Sequence, residues 1–265
     1  MSDVAALGAA QAEVARGEVP RMDSRLRLLL TPVILIVLTA IYLAVAFNVP
    51  LDSIEQRQMT VSNIATLTWQ HVVLTAMSAL LVVVISIPLG VLVTRRSVRF
   101  LAAPVTLIAN LGQAIPVIGL LVLLAVLLVP INFFGFWLTV TVCVVYGVLP
   151  VLRNTITGIR SIDPALIEAA KGIGMTPWRV LTQVELPLAV PYILAGLRTT
   201  LVLIVGVATL GTFVSAGGLG DLINTGIKLE RPVILFTGGI LAVLLALLID
   251  WVGGLIERAL TPKGL

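Results

Sequence analysis

Few side chains in this sequence could do chemistry. His71 is the only histidine and Cys143 the only cysteine, so an intrachain disulfide or a multi-cysteine metal site cannot form. Residues 58–152 hold no Asp or Glu, and no pair of embedded aspartates occurs that could run intramembrane proteolysis or a proton relay. Lys171-Gly172 lacks the upstream glycine and downstream hydroxyl of a phosphate-binding loop, so ATP is not expected to bind here. What remains are groups suited to docking and packing. Glu168 lies near Lys171 and can pair with a basic partner residue or cap local backbone donors. Asn110 and Gln113 share one helical face, and a glycine-rich run, Ser215–Gly220, precedes Asp221. These residues predict a protein-docking role and no catalytic constellation, with no metal or cofactor expected in the chain.

The elements that carry them are membrane helices. The chain has 265 residues, 59% hydrophobic and 11% charged, with a mean hydropathy of +1.13. Soluble domains carry about 25% charged residues, so a soluble fold is excluded. Leu28–Leu51, Gln58–Thr94, Phe100–Leu152, Thr199–Gly220 and Pro232–Ile249 contain no charge at all. At roughly 20 residues per span they hold one, one, two, one and one helices, an all-α polytopic bundle of about six transmembrane helices. The predicted spans are Leu28–Phe47, Val72–Val93, Leu101–Val129, Phe133–Leu152, Val190–Val214 and Val233–Leu255. With the N-terminus cytoplasmic, thirteen Lys and Arg fall inside and Arg57, Lys228 and Arg231 outside, with Arg198 within a helix. This positive-inside pattern explains the net charge of +4 without a nucleic-acid partner. Ala44-Val45-Ala46 mimics a signal-peptidase site, but the apolar stretch exceeds the roughly 7–15 residues of a signal core, so the first helix is expected to be retained.

Residues 1–27 read as a cytoplasmic tail, 28–66 as the first helix and an external loop, 67–258 as the main membrane domain, and 259–265 as a second cytoplasmic tail. The cytoplasmic loop 153–189 is far longer than the roughly 2–8 residues that usually connect helices. Asp163-Pro164 and Thr176-Pro177 each pair a capping oxygen with proline at the first helical position. They predict two short helices joined by a glycine turn, the second ending before Pro187. Ala169 and Ala170 lack bulk and admit a partner surface close to the backbone. An interfacial helix pair lying on lipid is the alternative, but only Lys171, Trp178 and Arg179 suit it.

Glu168-Ala169-Ala170, then Gly174, then Val184-Glu185-Leu186-Pro187 resemble the EAA signature, E-A-A-x3-G-x9-I-x-L-P, of permease subunits in binding-protein-dependent ABC importers. Val184 in place of isoleucine is the one departure, and it keeps the β-branched apolar character. The resemblance spans roughly Thr68 to Arg258. Gln113-Ala114-Ile115-Pro116 and the run Ala208–Gly220 look like permeases for glycine betaine, choline and related osmoprotectants, while methionine-type permeases carry a similar glycine-rich segment.

The resemblance implies a type I ABC importer permease fold in a bacterial inner membrane. Two permease subunits, identical or paralogous, would form the pathway, two cytoplasmic ATPases would bind ATP and Mg, and an external or periplasmic binding protein would deliver substrate. Glu168, Ala169, Ala170, Gly174, Val184, Leu186 and Pro187 would couple to the ATPase. Thr209, Ser215, Gly217 and Gly218 would lie at the external gate. Asn110, Gln113 and Pro116 could line the pathway, or the amides could serve as glue between helices, and both readings stand. Arg198 is expected to snorkel to the interface, and His71 and Asp250 to sit near helix ends. An amino-acid permease or an ion-coupled carrier is the competing transport class.

Overall fold

The computed structural model describes residues 24–260, so most of the expected N-terminal tail and most of the C-terminal tail lie outside the described residues. Among the described residues every regular element is helical: α1 (Ser24–Asn48), α2 (Ser53–Gln58), α3 (Val61–Thr94), α4 (Ala102–Ala114), α5 (Val117–Leu128), α6 (Phe136–Arg160), α7 (Pro164–Gly172), α8 (Pro177–Val180), α9 (Leu186–Ala208), α10 (Gly220–Lys228) and α11 (Pro232–Leu260). Five helices are long and apolar enough to cross a membrane, or six if the bent pair α4–α5 forms one span.

That pair corrects the expected single helix Leu101–Val129, because its two halves meet at 96°. Pro116 offers no N–H, and its ring drives the preceding Ile115 into extended backbone (φ −71°, ψ 133°). A second correction concerns the connection after α6. That helix runs to Arg160 rather than stopping at Leu152, and the second short helix, α8, ends at Val180 with no break in the chain before Pro187. Residues Leu181–Glu185 instead form a π turn, in which Leu186 N–H donates to the Leu181 carbonyl, and the chain passes through Pro187 into α9 without a break.

α6 is the centre of the bundle, packed between α3 and α9. Leu138, Val142, Cys143 and Val151 are fully buried there, and Cys143 takes the expected role of a small buried hydrophobe. Small residues let the backbones approach: a Cβ on Gly147 would lie 2.8 Å from Val82 of α3 and 2.9 Å from Thr200 of α9. A second cluster, with Ala46, Met59, Ile64, Leu219, Leu222 and Ile234, ties α1, α2 and the start of α3 to α10 and α11. α4 has no buried residue, so its outer face is open.

Candidate functional site

The loop after α6 builds an exposed two-helix hairpin. Asp163 Oδ1 accepts the Ala165 N–H at 2.9 Å and starts α7 with Pro164 at its first turn. The helix stops where Met175 N–H bonds the Ala170 carbonyl at 3.1 Å and Gly174 turns to φ +86°. That conformation is strained for any residue with a side chain. Thr176 caps α8, again with proline following. Glu168, Ala169 and Gly174 are exposed, Ala170 is buried, and Val184, Leu186 and Pro187 are half-buried. Ile173 and Trp178 are 81% and 70% exposed, which leaves large apolar side chains on the hairpin without cover. Glu168 forms no ion pair with Lys171 or any other described residue. The hairpin is fastened to the membrane domain at Glu185, which is buried and pairs with Arg95 at the end of α3 (2.6 Å).

At the opposite end, α9 tightens into a 3₁₀ turn, Thr209–Val214, and Ser215 (φ 58°), Gly217 (φ 79°) and Gly218 (φ 94°) reverse the chain into α10. This segment is pinned. Gly218 N–H donates to Gln70 Oε1 at 3.1 Å, and Leu219 N–H donates to His71 Nδ1 at 3.3 Å. Nδ1 therefore carries no proton, and Nε2–H donates to the Val205 carbonyl at 3.1 Å. Thr209 N–H, the usual helical donor to that carbonyl, turns to Gly206 and Val207 instead. A Cβ on Gly217 would lie 2.4 Å from Gln70 Oε1, and one on Gly220 would lie 1.9 Å from the Thr209 carbonyl oxygen. Thr209 Oγ1 donates to the Gly206 carbonyl, and Ser215 is exposed.

The structure places His71 differently from expectation. α3 begins at Val61 rather than Val72, so His71 sits inside the helix, wholly buried. Arg198 does not snorkel free: its Nε and Nη2 donate to Asp250 at 3.0 and 2.9 Å, and Nη1 donates to Glu257 at 2.9 Å. Asp250 thus serves as its partner. A histidine inside a charge-free stretch, and one arginine deep in a span, were the signals for these two sites.

Asn110 and Gln113 lie where α4 faces α6, and Pro116 is exposed at the bend that starts α5. Pro150 in α6 has no N–H for the Tyr146 carbonyl, and Gln113 Nε2 donates to that oxygen at 2.6 Å. Tyr146 O–H in turn donates to the Ile115 carbonyl at the bend, and Arg153 Nη2 donates to Asn110 Oδ1 at 2.6 Å. Both amides act as bonds between helices. Asn110 also lines an open cavity of about 490 Å³ with Arg99, Thr106 and Arg160.

Outside the membrane spans, Asp52 caps α2 through bonds from Ile54 and Glu55 N–H and pairs with Arg231 at 2.7 Å. The Glu55 backbone bond above all, aided by the Arg231 charge, holds its carboxyl below the ordinary value of 3.8, against a smaller opposing effect of desolvation.

Residues 86–262 match the family described as binding-protein-dependent transport system inner membrane component. The choline transport system permease OpuBB of Bacillus subtilis is 39% identical over 75% of this chain and 88% of its own. The osmoprotectant import permease OsmW of Salmonella typhimurium is 39% identical over 81% of this chain and 100% of its own. Among solved structures, an inward-facing form of the MetNI methionine ABC transporter superposes with a TM-score of 0.66 at 29% identity, covering 75% of this chain and 96% of that one.

Proposed function

Because the chain belongs to the family of inner membrane components of binding-protein-dependent transport systems, and is a permease subunit of an ATP-driven importer, we propose that it carries a small quaternary ammonium osmoprotectant such as glycine betaine or choline. The observation that supports this substrate class is the run of relatives named for choline, carnitine and osmoprotectant transport, at 39–41% identity over most of their length. Methionine transport, the activity named for the MetNI neighbour, is the weaker reading at 29% identity.

The N-terminus is cytoplasmic, as the clustering of Arg99 and Arg160 along one cavity at the basic end supports. Glu168, Ala169, Ala170 and Gly174 meet a separate ATPase subunit, with the exposed Ile173 and Trp178 beside them and Val184, Leu186 and Pro187 leading into α9. Two ATPase copies serve two permease subunits, identical or related, and ATP and Mg stay with the ATPases. Thr209, Ser215, Gly217 and Gly218 belong to the external gate that receives substrate from the binding protein, and Asn110, Gln113 and Pro116 border the pathway.

The test is reconstitution of the permease with its ATPase in proteoliposomes, with the binding protein supplied outside and radiolabelled choline as probe. Uptake should require ATP inside. Accumulation by the permease alone under an ion gradient, without ATP, would falsify the proposal. Gly174→Asp should abolish ATPase association or uptake while membrane insertion persists, because φ +86° there disfavours any side chain. Normal uptake in that variant would count against the hairpin's role.

A further inference from the structure

The α7–α8 hairpin leaves the membrane domain at the end of α6 and rejoins it through the π turn into α9. A third attachment is not covalent. Glu185, the last residue of the π turn, is buried, and its Oε2 receives Arg95 Nη2 at 2.6 Å. Arg95 is itself held at the end of α3, with Nε donating to the Val91 carbonyl at 3.2 Å and Nη2 to Thr94 Oγ1 at 3.2 Å. Among the described residues this is the only ion pair between the hairpin segment and α3. Near its other end, α3 carries Gln70 and His71, which bond the Gly218–Leu219 backbone. α3 is a single helix of 34 residues. It therefore joins the hairpin to the glycine segment on the far side of the bundle.

We propose that Arg95 and Glu185 are positioning residues for transport, whose ion pair passes movement of the hairpin to α3 and, through Gln70 and His71, to the external glycine segment. The proposal rests on the permease reading above. A charge-assisted bond of this length is directional, so it can pull α3 along with the π turn. The π turn also stores one residue more per turn than an α-helix and supplies the place where the hairpin can shift without unwinding α9.

The experiment uses the complete transporter in proteoliposomes and reads choline moved per ATP hydrolysed. Arg95→Gln and Glu185→Gln should keep ATP hydrolysis within about twofold while transport per ATP falls at least about tenfold. The double variant should be no worse than either single one, because both remove the same contact. Arg95→Lys, which keeps the charge, should restore most of the ratio. Several outcomes overturn the proposal: a ratio within about threefold of the parent in both single variants, losses that multiply in the double variant, no restoration by lysine, or variants that fail to assemble with the ATPase. If the parent complex itself moves no choline with ATP, the substrate reading fails first and is separately identified.

Discussion

His71 offers the sharpest test of how the glycine segment is held. Its ring satisfies two buried backbone groups at once, accepting from Leu219 N–H and donating to the Val205 carbonyl. His71→Ala orphans both, at about 1–3 kcal/mol each, and leaves a cavity besides. Two partial replacements separate the bonds. An asparagine amide oxygen falls near the place of Nδ1 and can still accept from Leu219, whereas a glutamine amide nitrogen reaches toward Nε2 and can still donate to Val205. Each single loss is worth about 1–3 kcal/mol, or roughly 5- to 150-fold in a local opening equilibrium. Amide hydrogen exchange read at Leu219 in the detergent-solubilised protein should therefore accelerate by that factor in His71→Gln and stay close to the parent in His71→Asn. Gly218 N–H, bonded to Gln70, is the internal control. Equal acceleration in both variants, or none in either, would refute the assignment of Nδ1 as the acceptor.

Two further outcomes follow from the same accounting of donors and acceptors. Gln113→Leu should destabilise the protein by about 1–3 kcal/mol by orphaning the Tyr146 carbonyl, and Pro150→Ala, which supplies a backbone N–H for that oxygen, should shrink the loss. Thermal unfolding of the four proteins in detergent measures the coupling, and a loss independent of residue 150 would contradict it. Asp52 has a folded-state pKa below its ordinary 3.8, so its stabilisation is full above that value and disappears as pH falls through the lowered one. Unfolding followed from about pH 6 downward should show an acid loss that Asp52→Asn removes, and an unchanged profile in that variant would exclude the carboxylate as its source.

Charge placement made the architecture legible. Spans, the long connection after α6 and the basic end follow from where Arg and Lys are absent or gathered, since an unpaired charge in hydrocarbon is expensive. The hairpin was equally legible in outline, because Asp163-Pro164, Thr176-Pro177 and Gly174 act through local backbone chemistry that no distant contact is needed to decode. Paired polar groups were not. Arg198 with Asp250 and Glu257, Arg95 with Glu185, and His71 with Leu219 are far apart in sequence, and each residue alone reads as an interfacial or solvated side chain. The start of α3 is a similar case: Asn63, Gln70 and His71 lie inside the helix, bonded to Gln58, Gly218 and Leu219, ahead of the expected start at Val72.

The prolines show why sequence alone could not set the bends. Pro116, Pro150 and Pro187 all interrupt apolar helical stretches, yet only Pro116 breaks its span. A proline removes one donor and crowds the carbonyls of the preceding turn, so the outcome depends on who else can bond those oxygens. Around Pro150 the donors come from three other helices: Gln113 of α4 takes Tyr146, Thr200 of α9 takes Gly147, and Ser86 of α3 takes Val148. α6 stays helical, and those bonds fix its neighbours. At Pro187 the π turn re-registers the backbone so that Leu186 N–H reaches Leu181. At Pro116 the neighbouring Ile115 turns extended, and its carbonyl is taken by Tyr146 O–H from α6. The bend and the straight helix are thus one network: Tyr146 gives its carbonyl to Gln113 and its hydroxyl to Ile115, so the angle between α4 and α5 is held by the helix that carries Pro150.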